Sequence, residues 1–477
     1  MIQTHPSIAQ RWVTPAIVIL AALAITGWVA FQLGQGNPEG ANPLIIGAVV
    51  ALLLYFIFQQ PYLGLAIMLF TLPIDQSLPD IPYVTSLFPV MGAITVLAYA
   101  NDRYRRKQTL LPRKFHWSWL FGLLFVIWLF ISNPDAALRQ GRGVGLLTYF
   151  QLWVMLWLVI ELMDEPKKFR HVMWLFVIGC MISAYVASTE VQMGDTFDTG
   201  RNASGGLGGI SASARLFTVA FLMLFYLRGQ LDKKHRYLII VTWAMQIFLL
   251  QGITATGSRT GILVVVLGIV LMLLSPTSKI KPQRVIIPFI VAFTIYSVVP
   301  ASYWDSMWNS IFPTIQEGDD TLAIRYDLWE AAIRMVQDKP ITGVGVNQFV
   351  RNVRAYSDPL SKVYITGAHS IYFSVLAETG VIGFGLYMSM VAAALYSGLR
   401  AAFFFKGKDD DWANMAYLWC AILLVLLFAG ITKQDQLDKL FWFSFSACAA
   451  METMRAKYTA NAPAPSLFAA IRRRLPA

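Results

Sequence analysis

The sequence predicts an all-α integral membrane protein: a polytopic helical bundle carrying a long, partly helical outer loop. Three observations lead there. Of 477 residues, 57% are hydrophobic and only 14% are charged, where a soluble domain carries about one quarter. Apolar runs of roughly 18 residues or more recur along the chain, the length that crosses a hydrocarbon core of about 30 Å. Basic residues gather in alternate short loops, as in the cytoplasmic loops of membrane proteins. Within lipid every backbone polar group must be paired inside the protein, so the runs must be helices or a closed barrel. The short alternating segments of a barrel are absent, which leaves helices.

Apolar periodicity places about fourteen spans, near 12–32, 43–59, 61–76, 84–100, 115–132, 145–163, 169–187, 210–228, 236–253, 260–274, 284–299, 370–398, 413–431 and 438–453. The first follows Arg11 without a small-residue cleavage site, so it reads as a retained span. Basic loops run from Asp102 to Lys114, Lys167 to Arg170, Arg228 to Arg236, Lys279 to Arg284 and Arg400 to Lys408, and the tail adds Arg472, Arg473 and Arg474. An even number of spans separates successive basic loops. About 25 of the 38 lysines and arginines then fall on one side, which predicts cytoplasmic termini. The chain divides into N-terminal helices 1–187, helices with an outer loop 188–299, an outer loop domain 300–369, and C-terminal helices with a tail 370–477.

A net charge of +11 is explained by this topology and by contact with anionic lipid rather than by nucleic acid. The cysteines Cys180, Cys420 and Cys448 all lie in expected spans, without metal or disulfide spacing. No nucleotide fingerprint or acidic metal pair is present, and no cofactor is expected.

Two outer segments stand out. The loop Thr189 to Gly209 holds Arg201 and a glycine-rich run, Gly205 to Gly209. The segment Ala301 to Ala368, at roughly 70 residues, far exceeds an ordinary connection. Inside it, Ile324, Leu328, Ala331, Ala332 and Met335 recur at helical spacing between Thr321 and Asp338, and Lys339-Pro340 stops the helix. This amphipathic helix is expected to lie along the membrane interface.

Of five histidines, His5, His116, His171 and His235 fall on the cytoplasmic side and His369 alone falls outside. An imidazole there is either a general base working near neutral pH or a group satisfied at an interface. Arg201, Arg259 in Gly257-Ser258-Arg259-Thr260-Gly261, and Arg325 are outer arginines. Each is a fork of donors for phosphate oxygens or a snorkelling contact to lipid headgroups. Arg215 lies inside a span and should face the bundle interior or a wet cavity. Gly343-Val344-Gly345 either exposes backbone donors to phosphate or is a turn.

Three segments together resemble the O-antigen ligase family, with its related polymerases and protein O-glycosylation ligases. They are Gly257 to Gly261; Arg325, Trp329, Ala332, Pro340 to Gly345 and Phe349; and Ala368-His369-Ser370-Ile371-Tyr372 with Leu376 to Gly383. The resemblance covers roughly residues 200–430. It implies an inverting, metal-independent glycosyltransferase of GT-C type in the bacterial inner membrane. Such an enzyme moves a glycan from undecaprenyl diphosphate to an acceptor hydroxyl on lipid A–core, a protein or another glycan, at the periplasmic face. His369 matches the family's essential histidine and Arg259 the arginine of its Ser-Arg motif. Arg201, or else Arg215, matches a further arginine. Arg325, Tyr326 and Trp329 would line the cavity, and Glu378 would orient the site or serve the fold. Ser370 stands where the family commonly has asparagine, and Ser211-Ala212-Ser213-Ala214 replaces an asparagine-proline signature.

Two rivals remain: a polymerase that extends a lipid-linked glycan, and a transporter or flippase for lipid-linked oligosaccharide. A flippase should carry mid-span charges and an internal repeat, whereas the spans here are largely uncharged and polar residues gather outside.

Overall fold

A computed structural model describes residues 43–77, 87–109, 115–132, 143–192, 210–231, 236–256, 258–277, 321–358, 367–434 and 436–461. The expected spans at 12–32 and 284–299, and the loop holding Arg201, lie outside these. All the described regular structure is helical: α1 (Pro43–Gln59), α2 (Tyr62–Thr71) with a following 3-10 turn, α3 (Leu87–Arg105), α4 (Trp117–Ser132), α5 (Gly143–Leu162), α6 (Pro166–Gln192), α7 (Ile210–Gly229), α8 (Arg236–Ala255), α9 (Arg259–Leu273), α10 (Thr321–Asp338), α11 (Phe349–Tyr356), α12 (Ile371–Phe405), α13 (Asp410–Ala429) and α14 (Lys439–Asn461).

Six described helices are long and apolar enough to cross a membrane: α5, α6, α7, α8, α12 and α13. α1, α2, α4 and α9 supply shorter apolar helices. The run expected to span at 61–76 contains the ten-residue α2, about 15 Å long and half a hydrocarbon core. Every α2 residue is buried, so its apolar character serves packing, chiefly on α6.

The centre of the bundle is α14. Phe441, Trp442, Phe443, Phe445, Cys448 and Met451 are all buried, so the first half of the helix is enclosed on every side, while its last turns carry Glu452, Arg455 and Lys457. It packs against α12, α5 and α13, and α12 packs in turn on α4. Glycines permit close crossings: a Cβ at Gly398 would come 2.5 Å from Cys420 Sγ, and one at Gly261 would come 2.7 Å from Ala214 Cβ. The three cysteines are buried thiols.

Charge separates the two ends of the bundle. At one end Arg170 donates to Asp411 at 2.7 Å, and Tyr226 donates to the other oxygen of Asp411 at 2.5 Å. Lys457 pairs with Asp164 and Glu165, and Arg103 with Glu161. These pairs tie the basic turns before α6 and α13 to the last turns of α3, α5, α7 and α14. The N-terminal ends of α7, α9, α12 and α14 lie at the opposite end, directing positive dipole ends there.

α10 spans the residues the periodicity marks, and Leu328, Ala331, Ala332 and Met335 are buried along one stripe. That stripe is covered by the chain itself. It packs with Phe349 and Val353 of α11 and with Ala368 and Ala377 in a small separate core. α11 and the start of α12 offer an apolar surface within the chain, so the stripe is already covered.

Candidate functional site

His369 is held in a tight turn that follows α11 and leads into α12, packed against α10. Its φ is 48°, in the left-handed region, where non-glycine residues are uncommon and histidine is among the more tolerant. The turn is fixed from both sides. The Trp329 indole donates to the Ala368 carbonyl at 3.0 Å, and its ring stacks on Phe373 with centroids 5.1 Å apart. On the other side the Ile371 amide donates to the Gly430 carbonyl at 2.8 Å. Ala368 and Ser370 are buried, while His369 remains half-buried. Such a residue keeps strained backbone only when its neighbours over-determine it, a pattern common at functional sites.

A cationic wall faces this imidazole. Burial lowers the His369 pKa below the ordinary 6.5, and Lys433 and Arg325 lower it further. Lys433, in the turn between α13 and α14, is itself pushed down to about 8 by burial and by Arg215 and Arg325. Lys433 is therefore the common electrostatic neighbour of His369, Arg325 and Arg215, which come from three other elements. Asp438 brings one carboxylate to the group: its Oδ2 is 3.9 Å from Arg215 Nη2, while its Oδ1 accepts the Phe441 amide at 2.8 Å and caps α14. The recess beside Arg215, lined by Ala212, Leu216, Leu426, Asp438, Leu440 and Phe441, is about the size of a single water and admits no sugar ring.

The Ser258-Arg259-Thr260-Gly261 motif is a helix start. Ser258 has extended backbone and its hydroxyl accepts the Gly261 amide at 3.2 Å, an N-cap. Arg259 is the first residue of α9; its side chain lies outside the described residues. The next hydroxyl, Thr260 Oγ1, is 3.3 Å from Thr432 Oγ1, beside Lys433.

Gly343-Val344-Gly345 serves the fold. α12 breaks at Gly380, where φ is 67° and ψ −175°. The break leaves helix carbonyls without their usual partners. Val344 N donates to the Ala377 carbonyl at 2.9 Å, Gly345 N to Glu378 at 3.0 Å, and Val381 N to Pro340 at 2.9 Å. Glycine is required at both faces of this junction: a Cβ at Gly343 would come 2.5 Å from the Glu378 carbonyl carbon, and one at Gly380 would overlap the Ile341 carbonyl. Glu378 is buried, and its carboxylate accepts the Phe349 amide at 3.2 Å, at the start of α11.

The structure therefore brings His369, Arg325, Trp329 and Arg215 to one end of the bundle. Tyr326 sits there with its ring edge-on to Trp329 at 5.6 Å and is 65% exposed. Glu378 braces the junction. Sequence reasoning missed Lys433 and Asp438. The available signal was a lysine in a short turn on the side where the positive-inside pattern places few.

Comparison with known proteins follows the same residues. Residues 244–388 match the family model described as O-antigen ligase, bearing out the resemblance drawn from the motifs. The segment runs from within α8 into α12, and holds Arg259, Arg325, Trp329, His369 and Glu378. The chain is also similar to the ComP-specific O-oligosaccharyltransferase of Acinetobacter baylyi, at 24% identity over 355 residues. That alignment covers 72% of this chain and 62% of the relative, so the chain spans under two thirds of the relative's length.

Proposed function

We propose that this chain is a membrane glycosyltransferase of GT-C type, transferring a glycan from undecaprenyl diphosphate to an acceptor hydroxyl at the periplasmic face of the bacterial inner membrane. One observation carries the reading: a strained and tightly braced imidazole, whose charged form burial disfavours, lies within electrostatic reach of guanidinium and ammonium groups drawn from distant parts of the chain. The paired basic turns gather at the other end of the bundle. By the positive-inside rule that end is cytoplasmic, and the His369 end is then periplasmic.

In the proposed step the acceptor oxygen attacks the anomeric carbon of the donor, opposite the diphosphate. His369 takes the hydroxyl proton as the new C–O bond forms. The old C–O bond breaks, its electron pair leaves on the diphosphate oxygen, and the anomeric configuration inverts. Arg325 and Arg215, with Arg259 and Arg201, stabilise the charge that develops on the leaving group. Diphosphate is a good leaving group, so the step needs neither a protonating acid nor a metal. Trp329 positions the histidine, and Tyr326 offers an exposed ring to the substrate.

The relative's name specifies one recipient, which supports transfer to a dedicated acceptor over stepwise growth of a lipid-linked chain. The test is purified full-length protein in proteoliposomes with undecaprenyl-diphosphate glycan and candidate acceptors, with and without chelator. An acceptor heavier by one glycan, with one undecaprenyl diphosphate released per transfer, is the expected result. A ladder of products on the lipid instead marks a polymerase, and no transfer to any hydroxyl acceptor refutes the reading.

A further inference from the structure

We infer that Lys433, in the turn between α13 and α14, binds the anionic diphosphate of the lipid-linked donor, so that this turn forms a wall of the site outside the family-matched segment. The inference rests on the donor reading above and adds a ligand to it.

Placement is the first argument. The 430–438 turn touches α9, α12 and the segment that leads into His369. Gly430 accepts the Ile371 amide at 2.8 Å. Thr432 meets Thr260, next to Arg259, at 3.3 Å. Gly367, two residues before His369, lies so close to Gln434 that a Cβ there would overlap the Gln434 amide oxygen. Tyr387 and the Trp442 indole both donate to the Gln436 carbonyl, at 3.3 and 2.8 Å, and anchor the turn to α12 and α14. Lys433 is therefore presented from a braced backbone rather than from a loose loop.

Charge is the second. Lys433 is half-buried, sits between two residues that contact Thr260 and Gly367, and lies within electrostatic reach of Arg215, Arg325 and His369. Gathering like charges out of water is unfavourable unless anions compensate. Asp438 supplies one carboxylate to this group, lying 3.9 Å from Arg215 with its second oxygen committed to capping α14; Asp435 lies outside the described residues. A diphosphate brings at least two negative charges, with oxygens that accept charge-assisted hydrogen bonds from a lysine presented at this turn. An ammonium suits the task beside arginines: it is a compact point charge with three donors that adapts to oxygens the planar forks leave over.

The experiment uses the full chain in nanodiscs. Affinity for undecaprenyl diphosphate is measured for wild type, K433Q and K433R, with phosphatidylglycerol nanodiscs lacking the diphosphate lipid as the headgroup control. K433Q is expected to weaken undecaprenyl-diphosphate binding and raise donor KM about tenfold, the effect of losing one charge-assisted contact of about 1.4 kcal/mol. Acceptor KM should stay unchanged, and K433R should recover most of the loss. A second readout needs no variant: amine-reactive labelling of Lys433 in wild type should slow when undecaprenyl diphosphate is bound, and not with phosphatidylglycerol alone. Equal binding by K433Q and wild type, or unprotected labelling, overturns this inference and leaves the donor reading standing. A wild-type chain that binds no undecaprenyl diphosphate overturns both.

Discussion

Replacing Trp329 by phenylalanine isolates the brace on His369. Phenylalanine keeps an aromatic face for Phe373, whose ring lies 5.1 Å from the indole at 20°, and removes only the donor to Ala368. The lost hydrogen bond contributes about 0.5–1.5 kcal/mol, and the buried carbonyl left without a donor raises the cost to about 1–3 kcal/mol. His369 holds a φ of 48°, which for a non-glycine residue stores about 1 kcal/mol or more. With the Ala368 anchor gone, that strain favours relaxation of the turn. A bias of about 1.5–2.5 kcal/mol against the productive turn is about a 10- to 70-fold loss of kcat. The groups proposed to face the diphosphate come from α7, α9, α10 and the 430–438 turn rather than from the His369 turn, so donor affinity should stay within about twofold. Initial rates of glycan transfer at saturating donor and acceptor, with undecaprenyl-diphosphate binding measured in parallel, provide the assay. A W329F enzyme with wild-type kcat refutes the reasoning, and so does a loss confined to donor binding.

Other substitutions probe other parts of the account. G380A places a side chain on left-handed backbone, against the Ile341 carbonyl; it should destabilise the protein by about 2–4 kcal/mol, read as a lower melting temperature in detergent. Burial, Lys433 and Arg325 all disfavour the imidazolium of His369, so protonation needs a lower pH than for an ordinary histidine. The acid limb of kcat/KM should therefore lie below pH 6.5, and K433Q, by removing one cation, should move it to higher pH. A limb unmoved in K433Q contradicts the electrostatic coupling. E378Q keeps an acceptor for the Phe349 amide and should retain transfer within a few-fold, whereas E378A, which leaves that amide unsatisfied, should lower the melting temperature, at a cost of about 1–3 kcal/mol.

Much of this organisation is legible in local pattern. Helical spacing of Leu328, Ala331, Ala332 and Met335, with Lys339-Pro340 as the stop, marks α10 to its observed ends. What the stripe packs against is not legible, because its partners Val353, Ala368 and Ala377 lie far along the chain. Hydropathy likewise cannot separate α2, apolar because it is enclosed, from a helix apolar because it meets lipid. At the site, His369 and Arg325 stand out by type and topology. Lys433 does not: its meaning comes from Arg215, contributed by a helix some two hundred residues earlier. Glu378 reads as a polar residue near the histidine, and only the bond from the Phe349 amide shows that α11 uses its side chain.

The most direct test of the central claim is single-turnover transfer by H369A in proteoliposomes, with bound undecaprenyl-diphosphate glycan quantified in the same samples. The account predicts donor bound as in wild type, while transfer to the acceptor hydroxyl falls by about 100-fold or more. Transfer by H369A at the wild-type rate would contradict it, since no base at that position would then be required.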